Sequence, residues 1–169
     1  MVILVLAAAA LGAFVLLTGW GTTADGGSPV RVAAAATYDP EGGDGEHDET
    51  LAGATDGDPA TYWTSEGYGD FLGTKEGVGL VLDAGAAGGL SSLTVTSDLP
   101  GWTGEIKAGD SPDDFSQART VGEAKVTGET TTWQLDRSDA RYYLIWITAM
   151  ERDSAGKQRV HVNEVTARS

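Results

Sequence analysis

The chain has no cysteine, which excludes disulfides, thiolate nucleophiles and cysteine-ligated zinc. Positive charge is scarce: 11 Lys and Arg stand against 25 Asp and Glu, for a formal charge of −14 at pH 7. Phosphate neutralisation dominates nucleic-acid affinity, so a chain of this sign repels DNA, RNA and anionic lipid surfaces. No nucleic-acid partner is expected. The two histidines, His47 and His161, lie far apart in unlike surroundings and read as surface or hydrogen-bonded residues, not as a ligand pair. A nucleophile elbow, a P-loop, a paired-histidine zinc helix and a dinucleotide fingerprint are all missing. The Gly-rich pieces at Gly42-Gly43 and Gly85 to Gly89 lie in acidic or hairpin contexts unsuited to cradling phosphate. Carboxylates are plentiful enough that residue type alone does not exclude a glycosidase-like acid pair, yet no spacing singles one out. The sequence does not read as an enzyme.

The acidity is uneven. Acids run from Asp39 to Asp70, and no Lys or Arg occurs between Arg31 and Lys75. A solvated face is one reading of such a run, with Glu46 inside it; cation binding is the other. Within the run, D-G-D-P-A-T-Y-W-T-S-E (Asp56 to Glu66) sets hard oxygen ligands and a turn directly before two aromatics. Gly57 permits a sharp bend and Pro59 fixes the turn, so Asp56 and Asp58 can converge on one point. The spacing is not that of an EF-hand. A turn capped by its own side chains accounts for the same residues.

From Val2 to Leu17 the chain is apolar without interruption. Counted on to Trp20 this is about 19 residues, or roughly 28 Å of helix, close to the hydrocarbon thickness of a bilayer. Trp20 suits the interface. A cleaved signal peptide would want a basic n-region, and no Lys or Arg precedes Arg31. Residues 1–20 are therefore expected to be a retained transmembrane anchor, making the protein a single-pass resident of the cell membrane. With no flanking charge to orient the helix, the chain also reads as the last helix and tail of a larger membrane protein.

Residues 21–29, G-T-T-A-D-G-G-S-P, read as a flexible linker. Strand patterns follow at Val30 to Thr37, Val78 to Asp83, Leu90 to Thr96, Trp102 to Ala108, Thr130 to Leu135, Tyr142 to Thr148 and Val160 to Ala167. In the last of these, alternation points Val160 and Val162 inward, His161 and Asn163 outward. Y-Y-L-I-W-I, from Tyr142 to Ile147, is apolar at every position and suits a strand covered on both faces. Ser111 to Ala118 reads as a turn of helix. Short strands spaced near ten residues predict an all-β antiparallel sandwich or jelly roll over 30–169.

The order of D-G-D-P-A-T-Y-W, G-V-G-L-V-L-D-A-G, R-Y-Y-L-I-W-I-T-A-M and V-N-E-V-T-A resembles the discoidin or coagulation-factor-5/8 type C family, a group of galactose-binding-like jelly rolls. The resemblance spans about Pro29 to Arg168. T-Y-D-P-E-G, K-E-G-V-G-L-V-L-D and L-I-W-I-T look like one subgroup, the extracytoplasmic C-terminal domain of actinobacterial MviN-like lipid II flippases, which a transmembrane segment precedes. In the wider family a structural Ca²⁺ joins the first loop to the last strand. Carried over by motif, its ligands are the carbonyl of Gly53, the carboxylate of Asp56, Asp58, Thr61, the carbonyl of Asn163 and the carboxylate of Glu164. Trp63 then lies in the core beneath the ion, and Trp133 and Trp146 in strands are core as well.

Family members bind sugars or lipid headgroups through loops at one end of the barrel. Tyr68, Phe71 and Trp102, in Gly-rich loops with Lys75 as the one nearby base, are the ligand candidates on that analogy. The resemblance implies a non-catalytic, membrane-anchored extracytoplasmic module that binds carbohydrate or another cell-envelope component. A protein-interaction or sensory domain without a sugar site is the alternative, with an envelope protein as partner.

Overall fold

The computed structural model describes residues 27–43, 45–85 and 89–169. The expected anchor over 1–20 and the linker as far as residue 26 lie outside the described residues. Among the described residues no helix is long and apolar enough to cross a membrane.

The strands are β1 (Pro29–Val30), β2 (Ala33–Tyr38), β3 (Trp63–Thr64), β4 (Val78–Asp83), β5 (Ser92–Thr96), β6 (Thr103–Gly109), β7 (Arg119–Val126), β8 (Thr130–Gln134), β9 (Tyr142–Ala149), β10 (His161–Val162) and β11 (Glu164–Arg168). They form a four-stranded sheet in the order β1-β11-β5-β8, a five-stranded sheet in the order β2-β4-β9-β6-β7, and a small ladder of β10 with β3. Every pairing is antiparallel. This is an all-β sandwich.

The core lies between the sheets. Leu93, Val95, Trp133 and Val165 come from one sheet, and Leu80, Leu82, Ile106, Tyr143 and Ile145 from the other. Each such side chain contributes about 1.5–3 kcal/mol on leaving water. Trp63 and Trp133 are fully buried and Trp146 nearly so, as the sequence suggests. β9 is covered on both faces: Tyr143, Ile145 and Ile147 point into the core, whereas Leu144 and Trp146 join a second cluster with Val81 and Phe115 on the outer side of the sheet.

Several local expectations change. The strand expected from Val30 to Thr37 breaks at Arg31–Val32, so β1 pairs with β11 in one sheet and β2 with β4 in the other. Residues 27–29 belong to the domain, not to a free linker. The Gly27 carbonyl accepts from the Arg168 guanidinium at 2.9 Å, and the Ser28 carbonyl accepts from the Ser169 amide at 3.0 Å. Ser111 to Ala118 is a chain of turns, with Ser111 and Asp114 capping the amides of Asp113 and Ser116. Short polar side chains that bond their own backbone compete with the helix ladder. β7, a charged edge strand, and the 3-10 helix Asp48–Ala54 carry no apolar periodicity that would reveal them.

Candidate functional site

β5 runs from Ser92, beside Gly27 and Arg168, to Thr96 at the opposite end of the sandwich; Ser91 donates to the Arg168 carbonyl, and Ser97 to that of Glu129. At that far end meet the long segment between β2 and β3, the β5–β6 loop, the β7–β8 turn and the start of β11. Ser97 Oγ donates to the His161 carbonyl at 2.7 Å, and the Asn163 amide group bridges the Pro59 carbonyl (3.1 Å) and the Asp98 amide (2.9 Å). Asn163 is thus buried, not outward, because both loops need its side chain.

The acidic turn gathers most of the expected cation ligands. Gly57 takes a left-handed φ of +83°, a conformation glycine adopts without strain, and its amide donates to Glu164 Oε2 at 2.8 Å. Gly53 passes so close to Tyr62 that a Cβ would stand 2.9 Å from backbone atoms there. The Thr61 hydroxyl faces both Asp56 carboxylate oxygens at 2.9 and 3.0 Å, the Asp58 carbonyl at 2.9 Å and the Gly53 carbonyl at 3.4 Å. A hydroxyl has one proton, so most of these oxygens meet lone pair to lone pair. Asp58 departs from the expected set. Its carboxylate caps the Ala60 amide at 2.9 Å, and it is the Asp58 carbonyl that faces inward. Among the described residues no group of three or more His, Asp or Glu side chains is placed to hold a metal ion. The cluster instead offers two carboxylates, Asp56 and Glu164, with carbonyls and a hydroxyl. That all-oxygen donor set fits a hard divalent cation, whose two charges the carboxylates would balance. Turn and oxygen cluster are one structure.

The three aromatics expected at the ligand surface are placed otherwise. Phe71 is fully buried and Trp102 is 1% exposed. Trp102 stacks on Trp133 with ring centroids 6.4 Å apart and an interplanar angle of 25°. Tyr68 is half-buried against Phe71, its ring 5.1 Å away, and its hydroxyl donates to Glu46 Oε1. Gly-rich flanks suggest an exposed loop, but Phe71 and Trp102 belong to the core and Tyr68 packs against it. Glu46 is likewise not solvated. It is 1% exposed and also accepts from the Glu66 amide at 2.7 Å. Burial, the largest effect, pushes its carboxyl above the usual range against the pull of the Tyr68 hydroxyl. Burial and then the Glu46 carboxylate push the Tyr68 phenol up. Lys75 pairs with Asp39 and stands 5.9 Å over the Tyr68 ring.

The exposed aromatic at this end is Tyr62, 38% exposed. Its ring lies parallel to that of His161 at 4.0 Å and 11°, and His161 Nδ1 is 2.8 Å from Asp98 Oδ1. Beside this stack opens a cleft of about 410 Å³ lined by Pro59, Thr96, Ser97, Asp98, Glu129 and Asn163. The Thr96 hydroxyl is buried there without a partner. Tyr62 was legible only as the residue alternating with Trp63; the direction of that alternation is fixed by the pairing of Trp63 with Val162.

A two-sheet antiparallel sandwich with a loop cleft and an oxygen-lined turn at one end has the galactose-binding-like, or discoidin, architecture. Solved structures of CBM32 carbohydrate-binding modules share it. A CBM32 module of a family 31 glycoside hydrolase from Clostridium perfringens matches with a TM-score of 0.59 at 13% identity, over 82% of this chain and 91% of that one. The CBM32 module of AlyQ, solved in complex with 4,5-unsaturated mannuronic acid, matches at 0.54 and 18%, over 79% and 94%. A Ruminococcus gnavus GH29 fucosidase matches at 0.56 and 14%, over 82% of this chain but 24% of the enzyme. This chain likewise spans 34% of a truncated AlyQ that carries CBM32 and alginate lyase domains. No protein-family model matches the chain.

Proposed function

We propose that the chain is a non-catalytic carbohydrate-binding module, held at the outer face of a cell membrane by residues 1–20 and directed at a cell-envelope glycan. The cleft beside Tyr62 and His161 carries this reading. The carboxylates of Asp98 and Glu129 line it and can accept from sugar hydroxyls. Tyr62 offers the apolar surface on which the C–H face of a pyranose packs. Few convergent polar groups beside an aromatic are what a small-ligand cleft needs. The fold's recurrence in CBM32 modules supports the same ligand class.

Two finer points belong to the proposal. First, Asp56, Glu164, Thr61 and the carbonyls of Gly53 and Asp58 hold a structural Ca²⁺, with the Asn163 side chain positioning the loop through its hydrogen bond to the Pro59 carbonyl. The ion ties the turn to β11 and supplies no chemistry beyond that. Second, the module is the extracytoplasmic tail of a larger envelope protein, in the manner of the MviN-like flippase domains that its sequence stretches resemble. Binding to an array of bacterial envelope glycans tests the reading. Tyr62→Ala and Asp98→Asn should each weaken the captured glycan about tenfold with little change in melting temperature. Absence of any captured glycan would leave the module without its ligand class.

A further inference from the structure

The outer face of the five-stranded sheet carries a second aromatic feature, away from the cleft beside Tyr62. The segment 110–118 folds across this face and sets Phe115 edge-on against Tyr38, with centroids 5.5 Å apart and planes at 66°. Tyr38 in turn lies 5.8 Å from Trp146. Gly77 leaves room for the indole, since a Cβ there would come within 2.3 Å of a ring carbon. These three rings, with Lys107, Glu41 and Glu76, line a cleft of about 270 Å³.

The charges around it are unequal. Lys107 Nζ stands 5.2 Å over the Trp146 ring and 3.3 Å from Glu105 Oε1, so its charge is answered locally. Glu41 and Glu76 are exposed and enter no ion pair among the described residues. The cleft is therefore net acidic within a protein of charge −14, and its field attracts cations and repels acids. The seat of Lys107 on Trp146 shows that these rings accept an ammonium group. The volume lies just below the usual range of ligand clefts, roughly 300–1,000 Å³, and suits one sugar ring.

We propose that this outer-face cleft is a second saccharide site, selective for sugars that carry a free ammonium group. The pyranose ring packs against Tyr38 at the edge of Trp146, its ammonium lies between the Glu41 and Glu76 carboxylates, and Lys107 donates to a ring hydroxyl. The ligand class rests on the glycan-binding reading above, while the site uses none of that cleft's residues.

The experiment is a titration of the full chain, ¹⁵N-labelled in mild detergent, with tetraglucosamine, its fully N-acetylated counterpart and tetragalacturonate. Tetraglucosamine is expected to shift the amides of Glu76, Lys107 and Ser116 and the indole signal of Trp146. The Glu41→Gln, Glu76→Gln double variant should bind at least tenfold more weakly; both residues are exposed, so folding is retained. Equal shifts from the N-acetylated sugar, or an unaltered affinity in the double variant, overturn the ammonium selectivity. Shifts confined to the surroundings of Tyr62 and Asp98 overturn the second site and leave the first standing. No shift in either place, with any of the three, overturns both.

Discussion

Glu164, the first residue of β11, accepts a hydrogen bond at 2.8 Å from the amide of Gly57, 107 residues earlier in the chain. The contact closes the acidic turn onto the last strand beside Asp56, and in the proposed cation site the same carboxylate would supply the second negative charge. A cation that binds only the folded state stabilises it by about 2.7 kcal/mol at a hundredfold excess over Kd, roughly 5–10 °C in melting temperature for a domain of this size. Millimolar Ca²⁺ is expected to produce a shift of that order, and Mg²⁺ less, being smaller and slow to shed water. Asp56→Asn and Glu164→Gln should each remove most of it. Asp139→Asn, an exposed site in the β8–β9 loop at the other end of the sandwich, should not. A wild-type shift no larger than equal ionic strength produces would reduce the turn to a hydrogen-bonded bend.

β4 and β9 were legible because a strand buried on both faces leaves no polar position to confuse the pattern, as V-G-L-V-L-D and Y-Y-L-I-W-I show. β7 was not, since R-T-V-G-E-A-K-V is an edge strand with most side chains in water. The turn at Asp56 could be read as an oxygen cluster from residue types alone; that Asp58 turns its carbonyl inward depends on backbone torsions the residue types leave open. Trp102, expected at the surface, is buried, and Tyr62, given no role by the sequence, is exposed, for a similar reason. Flanking glycines indicate a loop, but burial is decided by which ring the facing sheet has room for, and Trp133 supplies that room for Trp102.

The placement of these rings has a measurable consequence. Trp102→Ala and Phe71→Ala each remove a buried aromatic and should cost about 3–5 kcal/mol of stability. Any loss of glycan binding should follow the loss of folded protein and recover at low temperature. Tyr62→Ala should do the reverse, with a stability change within about 1 kcal/mol and a loss of binding that cooling does not restore. Thermal melts paired with titration calorimetry at two temperatures separate the patterns. A Trp102→Ala protein that melts like wild type would place that ring at the surface after all.

The pairing of β1 with β11 sets a boundary. Pro29 lies opposite Arg168 and Val30 opposite Ala167, so β1 covers an edge that would otherwise offer free backbone groups to another chain. A chain beginning at Gly27 should be a β-rich monomer by circular dichroism and sedimentation. One beginning at Val32 should lose roughly 2 kcal/mol with its ladder bonds and associate as its concentration rises. Identical melting and sedimentation of the two would mean that β1 contributes nothing to the edge.

Glu46 sets the acid behaviour of the far end. Two donors, the Tyr68 hydroxyl and the Glu66 amide, favour its ionised form, yet burial outweighs them and its carboxyl titrates above the ordinary 4.5. Between 4.5 and that raised value the folded state binds a proton that the unfolded chain does not, so stability falls as pH rises through this window. Asp83 works in the opposite sense and at lower pH. The Arg141 guanidinium, bonded to it at 2.7 and 2.8 Å, holds its carboxyl below 3.8, so its contribution is present above 3.8 and lost as pH falls through the depressed value. The windows do not overlap, which makes the effects separable. Denaturant unfolding of wild type between pH 4.5 and 7 should show a component of stability that declines toward neutrality, and Glu46→Gln should flatten it. The variant leaves one of the two donors facing an amide N–H₂, at a cost of about 1–3 kcal/mol, so the slope with pH and not the absolute stability is the quantity to compare. Asp83→Asn should leave that slope unchanged and weaken the protein most above pH 3.8, the loss fading as pH falls through the depressed value. Parallel slopes in wild type and Glu46→Gln would mean that water reaches the Glu46 carboxylate and that Tyr68 does not seal it.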